Sequence, residues 1–208
     1  MRRACDNPFA VHRVLCERYR LSASQWQELM TQLERLGWRG AIVGPRGSGK
    51  TTLLEDLAVR LEGQGWRIHV LRFTAGQRRL AVPPRWEAGD FVLCDGAEQL
   101  SMLEWRRLAR RAGRAGGLVI TTHRTGRLPV LHRCCTSPEL LHSLAASLGE
   151  PLSTHECEKL HARHDGNVRA ALHELYDRWT DTGGSDPALN CPYEKPKLRT
   201  STFRKDEP

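Results

Sequence analysis

The sequence predicts an α/β fold in which helices sandwich a five-stranded parallel sheet and a small three-helix lid follows. Two observations predict it. Five short apolar or alternating runs between residues 38 and 136 are interspersed with helical patterns and loops, and strands that alternate with helices form parallel sheets. From Pro138 onward the pattern is helical only, which predicts a separate group of helices at that end of the chain.

The expected strands differ in how they are buried. The runs FVLCD and LVITT are continuously apolar, as is typical of strands that are covered on both faces. The run WRIHVLRFT alternates and is rich in β-branched residues, and RGAIV reads as a short buried strand. The run VLHRCCT supplies a last short strand.

Helical patterns surround these strands. The stretch FAVHRVLCERY predicts a short helix, and SASQWQELMTQLERLGW predicts a longer one that Ser22 or Ser24 caps. A helix from about Lys50 to Glu62 follows the first strand, and SMLEWRRLARRAGRA predicts a helix before the fourth. In the lid we expect Ser137 to cap one helix and Ser153 to form a capping box with Glu156.

The patterns divide the chain into four parts. Residues 1–37 are an N-terminal strap and helices, 38–136 the core with the sheet, 137–180 the lid and 181–208 a tail. The tail has few apolar residues and several helix breakers, so we expect most of it to be disordered.

The length and net charge of the chain indicate its domain size and the kind of partner that it binds. The 208 residues suit one domain with at most a small appendage. Lys and Arg number 32 against 24 Asp and Glu, a formal charge of +8 that fits phosphate-bearing partners, although solubility alone also explains it.

The cysteines and the apolar runs indicate the cellular compartment of the protein. Seven cysteines are present, an odd number without a CxxC pair, so we expect reduced thiols in a cytoplasmic protein. The chain start shows no long apolar stretch of the signal-peptide kind, and no run approaches the roughly 20 residues of a membrane span.

The stretch GPRGSGKTT carries the chemistry. It matches G-x-x-x-x-G-K-[ST] between a predicted strand and a predicted helix, the context that this phosphate-binding P-loop requires. Its glycines let backbone N–H groups converge at a helix N-terminus, where they bind polyphosphate. Lys50 adds a charge for the β- and γ-phosphates, and Thr51 a hydroxyl for Mg²⁺. The expected phosphate-binding residues are Gly44, Pro45, Arg46, Gly47, Ser48, Gly49, Lys50, Thr51 and Thr52.

A second motif ends the third strand. Asp95 closes the run FVLCD about forty residues after the P-loop, where a carboxylate holds Mg²⁺ through water. A cap at a strand end is the alternative interpretation of Asp95.

The P-loop GPRGSGKT and the segment FVLCDGAEQL resemble those of AAA+ ATPases and their STAND and NACHT-type relatives. HDGNVRAALHELYD resembles the lid segment of initiator and clamp-loader ATPases, which implies that Arg169 lies beside the γ-phosphate. The end of LVITTH implies a polar sensor at Thr122, with His123 as the spare. DNPFAVHRV resembles the strap around adenine, which implies adenine contacts from Asn7, Pro8, Phe9 and Val11. The resemblance spans residues 7 to about 180.

Two departures from this family affect catalysis. Gly96 stands where the family commonly has a water-polarising glutamate, and Glu98 follows as the candidate that orients water. Arg124, Arg127 and Arg133 are the candidates for an arginine finger, but none is identifiable by pattern. Because such a finger contributes roughly three to five powers of ten in rate, its absence predicts a slow, switch-like ATPase.

Two further clusters remain open. One helix carries a basic face that suits nucleic-acid phosphates or an acidic partner, or is merely solvated: Arg106, Arg107, Arg110, Arg111 and Arg114. Cys157, His161 and His164 follow helical spacing but no familiar zinc pattern.

Together these features predict a Mg²⁺-dependent ATP-binding protein and slow ATPase that switches a macromolecular partner and can form a homo-oligomer. The catalytic candidates are Lys50, Glu98, Thr122 and Arg169, and the metal ligands are Thr51 and Asp95. Three alternatives stay open: a regulatory module that binds ATP or ADP without turnover, a small-molecule or nucleotide kinase, and a DNA-associated ATPase.

Overall fold

The computed structural model describes residues 7–74 and 85–183. Cys5, Cys191, most of the loop after the second strand and the tail from residue 184 lie outside this range. The strands are β1 (Arg39–Val43), β2 (Arg67–Arg72), β3 (Asp90–Asp95), β4 (Gly117–Thr122) and β5 (Val130–Arg133). The α-helices are α1 (Val11–Cys16), α2 (Ala23–Arg35), α3 (Lys50–Gly63), α4 (Met102–Arg111), α5 (Pro138–Ser147), α6 (Thr154–Arg163) and α7 (Val168–Gly183). None of these helices combines the length and apolar composition that crossing a membrane requires.

The strands form one sheet. Within the described residues it has five strands in the order β2-β3-β4-β1-β5, and every neighbouring pair is parallel. This confirms the predicted α/β fold with its parallel sheet. The register pairs Val43 with Thr122 and Arg72 with Asp95. The carboxyl ends of the strands therefore meet at one edge, where α/β folds place their functional groups.

The central strands are buried as their composition predicts. Phe91 to Cys94 in β3 and Leu118 to Ile120 in β4 have no solvent exposure. Phe91 also meets Trp66 edge-on, with ring centroids 5.4 Å apart. A Cβ on Gly117 would collide with the Phe91 ring, so the glycine that opens β4 admits this aromatic side chain.

Serine caps begin the helices at the predicted places, with one difference. Ser22 caps α2 in a complete capping box, and the Ser137 hydroxyl accepts from the backbone N–H of Leu140 at the start of α5. At α6 the Ser153 hydroxyl accepts from the Glu156 N–H at 3.3 Å, but the reciprocal bond is absent. The Glu156 carboxylate instead accepts from Arg178 at 3.2 Å, because an ion pair competes for it.

Two compact units make up the described chain. We call residues 7–19, 45–52 and 134–183 the P-loop unit, and residues 20–44, 53–74 and 85–133 the sheet unit. In the P-loop unit Phe9 packs into a core formed by α5, α6 and α7, with Leu141, Leu160 and Leu172. The four-part division made from the sequence stays a prediction.

Candidate functional site

The P-loop backbone needs glycine at two positions. Gly47 has φ +73° and Gly49 has φ +82°, both in the left-handed region that side chains with a Cβ rarely adopt. A Cβ on Gly47 would collide with Oδ1 of Asn167, and a Cβ on Gly49 would lie 3.1 Å from ring carbons of Tyr19. The two glycines thus permit both the turn and the close approach of neighbouring side chains.

Lys50 opens α3 and bends over its own loop. It is only 8% exposed, and its ammonium donates to the carbonyl of Pro45 at 2.6 Å. The Ser48 hydroxyl donates to the same carbonyl at 2.9 Å. One carbonyl therefore holds both side chains and places a positive charge at the N-terminus of a 14-residue helix, whose dipole favours anions. Thr51 follows in the first turn of the helix.

The turn between α6 and α7 packs on this loop. Asn167 caps α7, since its Oδ1 accepts from the Ala170 N–H at 3.1 Å. The backbone nitrogen of Arg169 would lie 3.0 Å from a Cβ on Gly47, while the Arg169 side chain is exposed. Arg169, which the family resemblance places beside the γ-phosphate, thus has its backbone against the P-loop. Its role toward phosphate stays a prediction.

The N-terminal segment is attached to α7. Asn7 is fully buried and donates from Nδ2 to the Tyr176 carbonyl at 3.0 Å, while its Oδ1 accepts from the Phe9 N–H at 2.9 Å. Pro8 is buried as well, and Val11 is 67% exposed. Asn7 and Phe9 therefore anchor this segment to the lid helices. The expected contacts of all four residues with adenine stay predictions.

Tyr19 and Cys134 form a neutral pair beside Lys50 that the sequence did not predict. Burial raises the pKa of Tyr19, and a hydrogen bond with Cys134 raises it further. Burial also raises the pKa of the Cys134 thiol, against the opposing effects of Tyr19 and the Lys50 charge. Both groups are therefore protonated and uncharged at neutral pH. Scattered cysteines and tyrosines carry no spacing signal that would reveal this pair.

In the sheet unit a hydroxyl fixes the carboxylate of Asp95. Thr121 donates to Asp95 Oδ1 at 2.7 Å and accepts from the Gly96 N–H at 2.8 Å. The sequence nominated the next residue, Thr122, as the sensor of the γ-phosphate, and its hydroxyl donates to the Arg124 carbonyl at 3.1 Å. Successive side chains of a strand point to opposite faces, so only one of the two threonines can reach Asp95. The sensor role of Thr122 stays a prediction.

Gly96 is required by the backbone. Its φ is +78°, and a Cβ there would lie 2.5 Å from the carbonyl oxygen of Phe73. A glutamate at this position would need both a strained backbone and a displaced β2 end. A glutamate therefore does not fit this turn, at the position where the family that this chain resembles commonly has one.

Glu98 lies in a short 3₁₀ turn after Gly96 and contacts a histidine. Its Oε1 is 3.0 Å from Nε2 of His123, and Nδ1 of the same ring is 3.0 Å from the Gly44 carbonyl. The second carboxylate oxygen, Oε2, is buried, and no described group forms a hydrogen bond with it. The sequence proposed Glu98 and kept His123 as a spare sensor, but it gave no sign that the two side chains meet.

Arg127 is engaged within the sheet unit. It donates to the carbonyls of Ala97 and Leu100, both at 2.6 Å, and lies 5.4 Å from the ring centroid of Trp105. Burial lowers the pKa of Arg127, against the raising effect of nearby Glu98. This guanidinium holds the segment that carries Glu98. The role of Arg127 as an arginine finger, like that of the other two candidates, stays a prediction.

Two clusters from the sequence analysis remain, a basic helix face and a group of candidate zinc ligands. The five arginines of α4 and the turn after it are exposed, and in the described ranges no carboxylate pairs with their guanidinium groups. Cys157 lies in the lid core, whereas His164 contacts Glu174 at 2.5 Å. Across residues 7–74 and 85–183 no three His, Cys, Asp or Glu side chains form a metal-binding group.

Comparison with known proteins identifies the fold. No protein-family model and no curated protein matches the sequence. Among solved structures, NtrX from Brucella abortus in complex with ATP is similar, with a TM-score of 0.50 and 15% sequence identity over 85% of this chain. The match covers 53% of the NtrX chain, so this chain spans about half of that protein. At this identity the similarity shows the fold alone, an α/β fold.

Proposed function

We propose that this chain binds ATP through its P-loop and hydrolyses it slowly, as a nucleotide-driven switch for a macromolecular partner. The observation that carries the proposal is the loop itself. Left-handed glycines at Gly47 and Gly49 precede α3, and the charge of Lys50 lies at the helix N-terminus. Backbone donors, a helix dipole and a lysine at one point bind polyphosphate. NtrX, which shares the fold, was solved with ATP, and this supports the choice of nucleotide.

Magnesium is the proposed cofactor. Thr51 offers a hydroxyl and Asp95 a carboxylate, and Mg²⁺ prefers such oxygen ligands. The bond from Thr121 to Asp95 Oδ1 at 2.7 Å orients that carboxylate as an acceptor, so the residue fits the role. Bound Mg²⁺ would neutralise charge on the nucleotide phosphates.

Hydrolysis is proposed to be slow for two reasons. Gly96 excludes the glutamate that polarises water in the family that this chain resembles, and Arg127 is bound to two carbonyls rather than available to a neighbouring site. Glu98 is the proposed residue for orienting water. Arg169 is proposed to sense the γ-phosphate and couple it to the lid turn, whose backbone packs on Gly47.

Calorimetry with nucleotide-stripped protein tests binding. We expect ATP to bind in the presence of Mg²⁺ and Lys50→Ala to lose the binding heat. Lys159→Ala is the matched control, because Lys159 is an exposed lysine on α6 and its loss leaves the P-loop intact. Wild-type protein that takes up no ATP, ADP or GTP would refute the proposal.

Phosphate release separates the alternatives. Slow release that falls in Glu98→Gln supports an ATPase. Binding without release identifies a regulatory module, and phosphate found on an acceptor other than water identifies a kinase.

A further inference from the structure

The position of His123 follows from the sheet register. Val43 pairs with Thr122, and the Gly44 N–H donates to the Thr122 carbonyl at 3.2 Å. Gly44 follows β1 and His123 follows β4, so these two residues lie side by side. Gly44 is the first residue of the P-loop motif. The His123 ring reaches from there to the turn after β3 that carries Glu98.

The hydrogen-bond partners of the His123 ring determine which of its nitrogen atoms carry a hydrogen. A carbonyl oxygen can only accept, so Nδ1, at 3.0 Å from the Gly44 oxygen, carries a hydrogen and donates it. Nε2 then shares one further proton with Glu98 Oε1, 3.0 Å away. When that proton lies on the ring, Glu98 is a carboxylate held by a charge-assisted hydrogen bond.

The other carboxylate oxygen is in an unusual position. Glu98 Oε2 is buried and lacks a hydrogen-bond partner within the described residues. Leaving a buried acceptor unsatisfied is costly, and a catalytic role is one explanation for such a group. With Oε1 fixed by His123, the direction of Oε2 is fixed as well.

We propose that His123 is a positioning residue that fixes the Glu98 carboxylate and ties it to Gly44, the first residue of the P-loop motif. The inference rests on the proposed ATPase function and deepens it. In the hydrolytic step, the Glu98 carboxylate takes a proton from water as the water oxygen bonds to the γ-phosphorus. The bond from that phosphorus to the bridging oxygen breaks, and ADP leaves with the electron pair. The proton is then released to solvent with inorganic phosphate.

Because the imidazole bonds the Gly44 carbonyl and Glu98 together, a displacement of the Gly44 carbonyl moves the carboxylate. Arg127 acts on the same segment, since it holds the carbonyls of Ala97 and Leu100 on either side of Glu98. His123 and Arg127 thus hold the side chain and the backbone of one catalytic candidate.

Three substitutions of His123 distinguish the effect of its hydrogen bond to Glu98 from that of its hydrogen bond to Gly44. The amide of His123→Gln places an N–H near the position of Nε2 and keeps a donor for Glu98. The shorter His123→Asn keeps a donor for Gly44 only, and His123→Ala keeps neither. We expect kcat to fall by about 10- to 100-fold in His123→Ala and His123→Asn, as for a catalytic group displaced by about 1 Å, with most activity kept in His123→Gln. KM and the calorimetric ATP affinity are expected to stay within about threefold.

His173→Ala is the control, because this histidine is an exposed residue of α7, with 71% of its side chain accessible. Nitrogen NMR of ¹⁵N-histidine protein gives a readout independent of turnover. The His123 signal, identified by its loss in His123→Gln, should report a protonated Nδ1 and shift in Glu98→Gln.

Several outcomes would overturn the inference. An unchanged kcat in His123→Ala would do so, as would equal loss in His123→Gln and His123→Ala. Absence of turnover in a wild-type protein that binds ATP would overturn it while leaving nucleotide binding intact. Absence of ATP binding would instead refute the proposed function, and calorimetry distinguishes that case.

Discussion

Gly47 of the P-loop and Asn167 before α7 approach so closely that a Cβ on the glycine would collide with the asparagine Oδ1. The same oxygen accepts the Ala170 N–H at 3.1 Å and caps the helix. One contact therefore joins the conformation of the phosphate-binding loop to the start of the last lid helix. A nucleotide that reshapes the loop would act directly on this cap.

We expect Gly47→Ala to lose both stability and nucleotide binding. A left-handed residue with a Cβ costs about 1–2 kcal/mol, and the collision with Asn167 adds to it. Urea unfolding measures the stability loss, and calorimetry measures ATP binding. Asn167→Ala, which removes a helix cap, is expected to cost about 1 kcal/mol. A double variant as unstable as the sum of the singles would show that the two residues do not interact.

Gly96→Glu is expected to destabilise the protein without adding catalysis. Its Cβ would lie 2.5 Å from the Phe73 carbonyl at a φ of +78°, so strain and overpacking together cost about 2–5 kcal/mol. Gly96→Ala should lose as much, because the Cβ alone causes the clash. Gly113→Ala is the matched control, since a Cβ there meets nothing within 4 Å. Faster phosphate release in Gly96→Glu would contradict this account.

Thr121→Val should be more harmful than Thr122→Val. Valine has nearly the shape of threonine, but at position 121 it leaves Asp95 and the Gly96 N–H without their shared hydroxyl. The expected destabilisation is about 1–3 kcal/mol, with a weaker dependence of ATP affinity on Mg²⁺. Thermal melts and Mg²⁺ titrations measure the two effects. A larger loss in Thr122→Val would favour the sequence-based sensor instead.

Asp90 at the start of β3 should contribute to stability above acid pH. Burial raises its pKa, but the Glu87 N–H at 2.6 Å, together with His69 and Arg67, outweighs burial and holds the pKa below its usual range. A lowered folded-state pKa means that the contribution is complete above the unfolded pKa of about 3.9 and is lost as pH falls through the folded value.

In urea unfolding we therefore expect Asp90→Asn to be destabilised at pH 7 by about 1–3 kcal/mol, and by less at pH 2.5. Asp165→Asn serves as the control, because Asp165 is exposed and asparagine tolerates its φ of +50°. A deficit that is equal at both pH values would exclude this linkage.

The arginines of α4 predict salt-dependent binding of nucleic acid. Each phosphate contact contributes about −0.9 to the slope of log affinity against log salt on duplex DNA. Substituting both Arg107 and Arg110 by alanine should therefore make the slope shallower by about 2. Fluorescence anisotropy with a labelled duplex measures it, and Arg35→Ala on α2 provides an exposed control. Binding that does not depend on salt would assign these side chains to solvent.

The sequence by itself determined the strands, the helices, the parallel sheet and the P-loop, because these depend on local periodicity and on a motif of fixed spacing. Ser22 and Ser137 were predictable as caps for the same reason, since a cap reaches only two or three residues along the chain.

Only the tertiary structure decided which side chains meet at the strand ends. Thr121 rather than Thr122 holds Asp95, and His123 joins Glu98 to Gly44, because strand register and side-chain direction set these contacts. The residues concerned come from segments some 25 to 80 positions apart in the chain. No local pattern encodes the packing that brings them together, so their chemistry becomes visible only when the sheet is assembled.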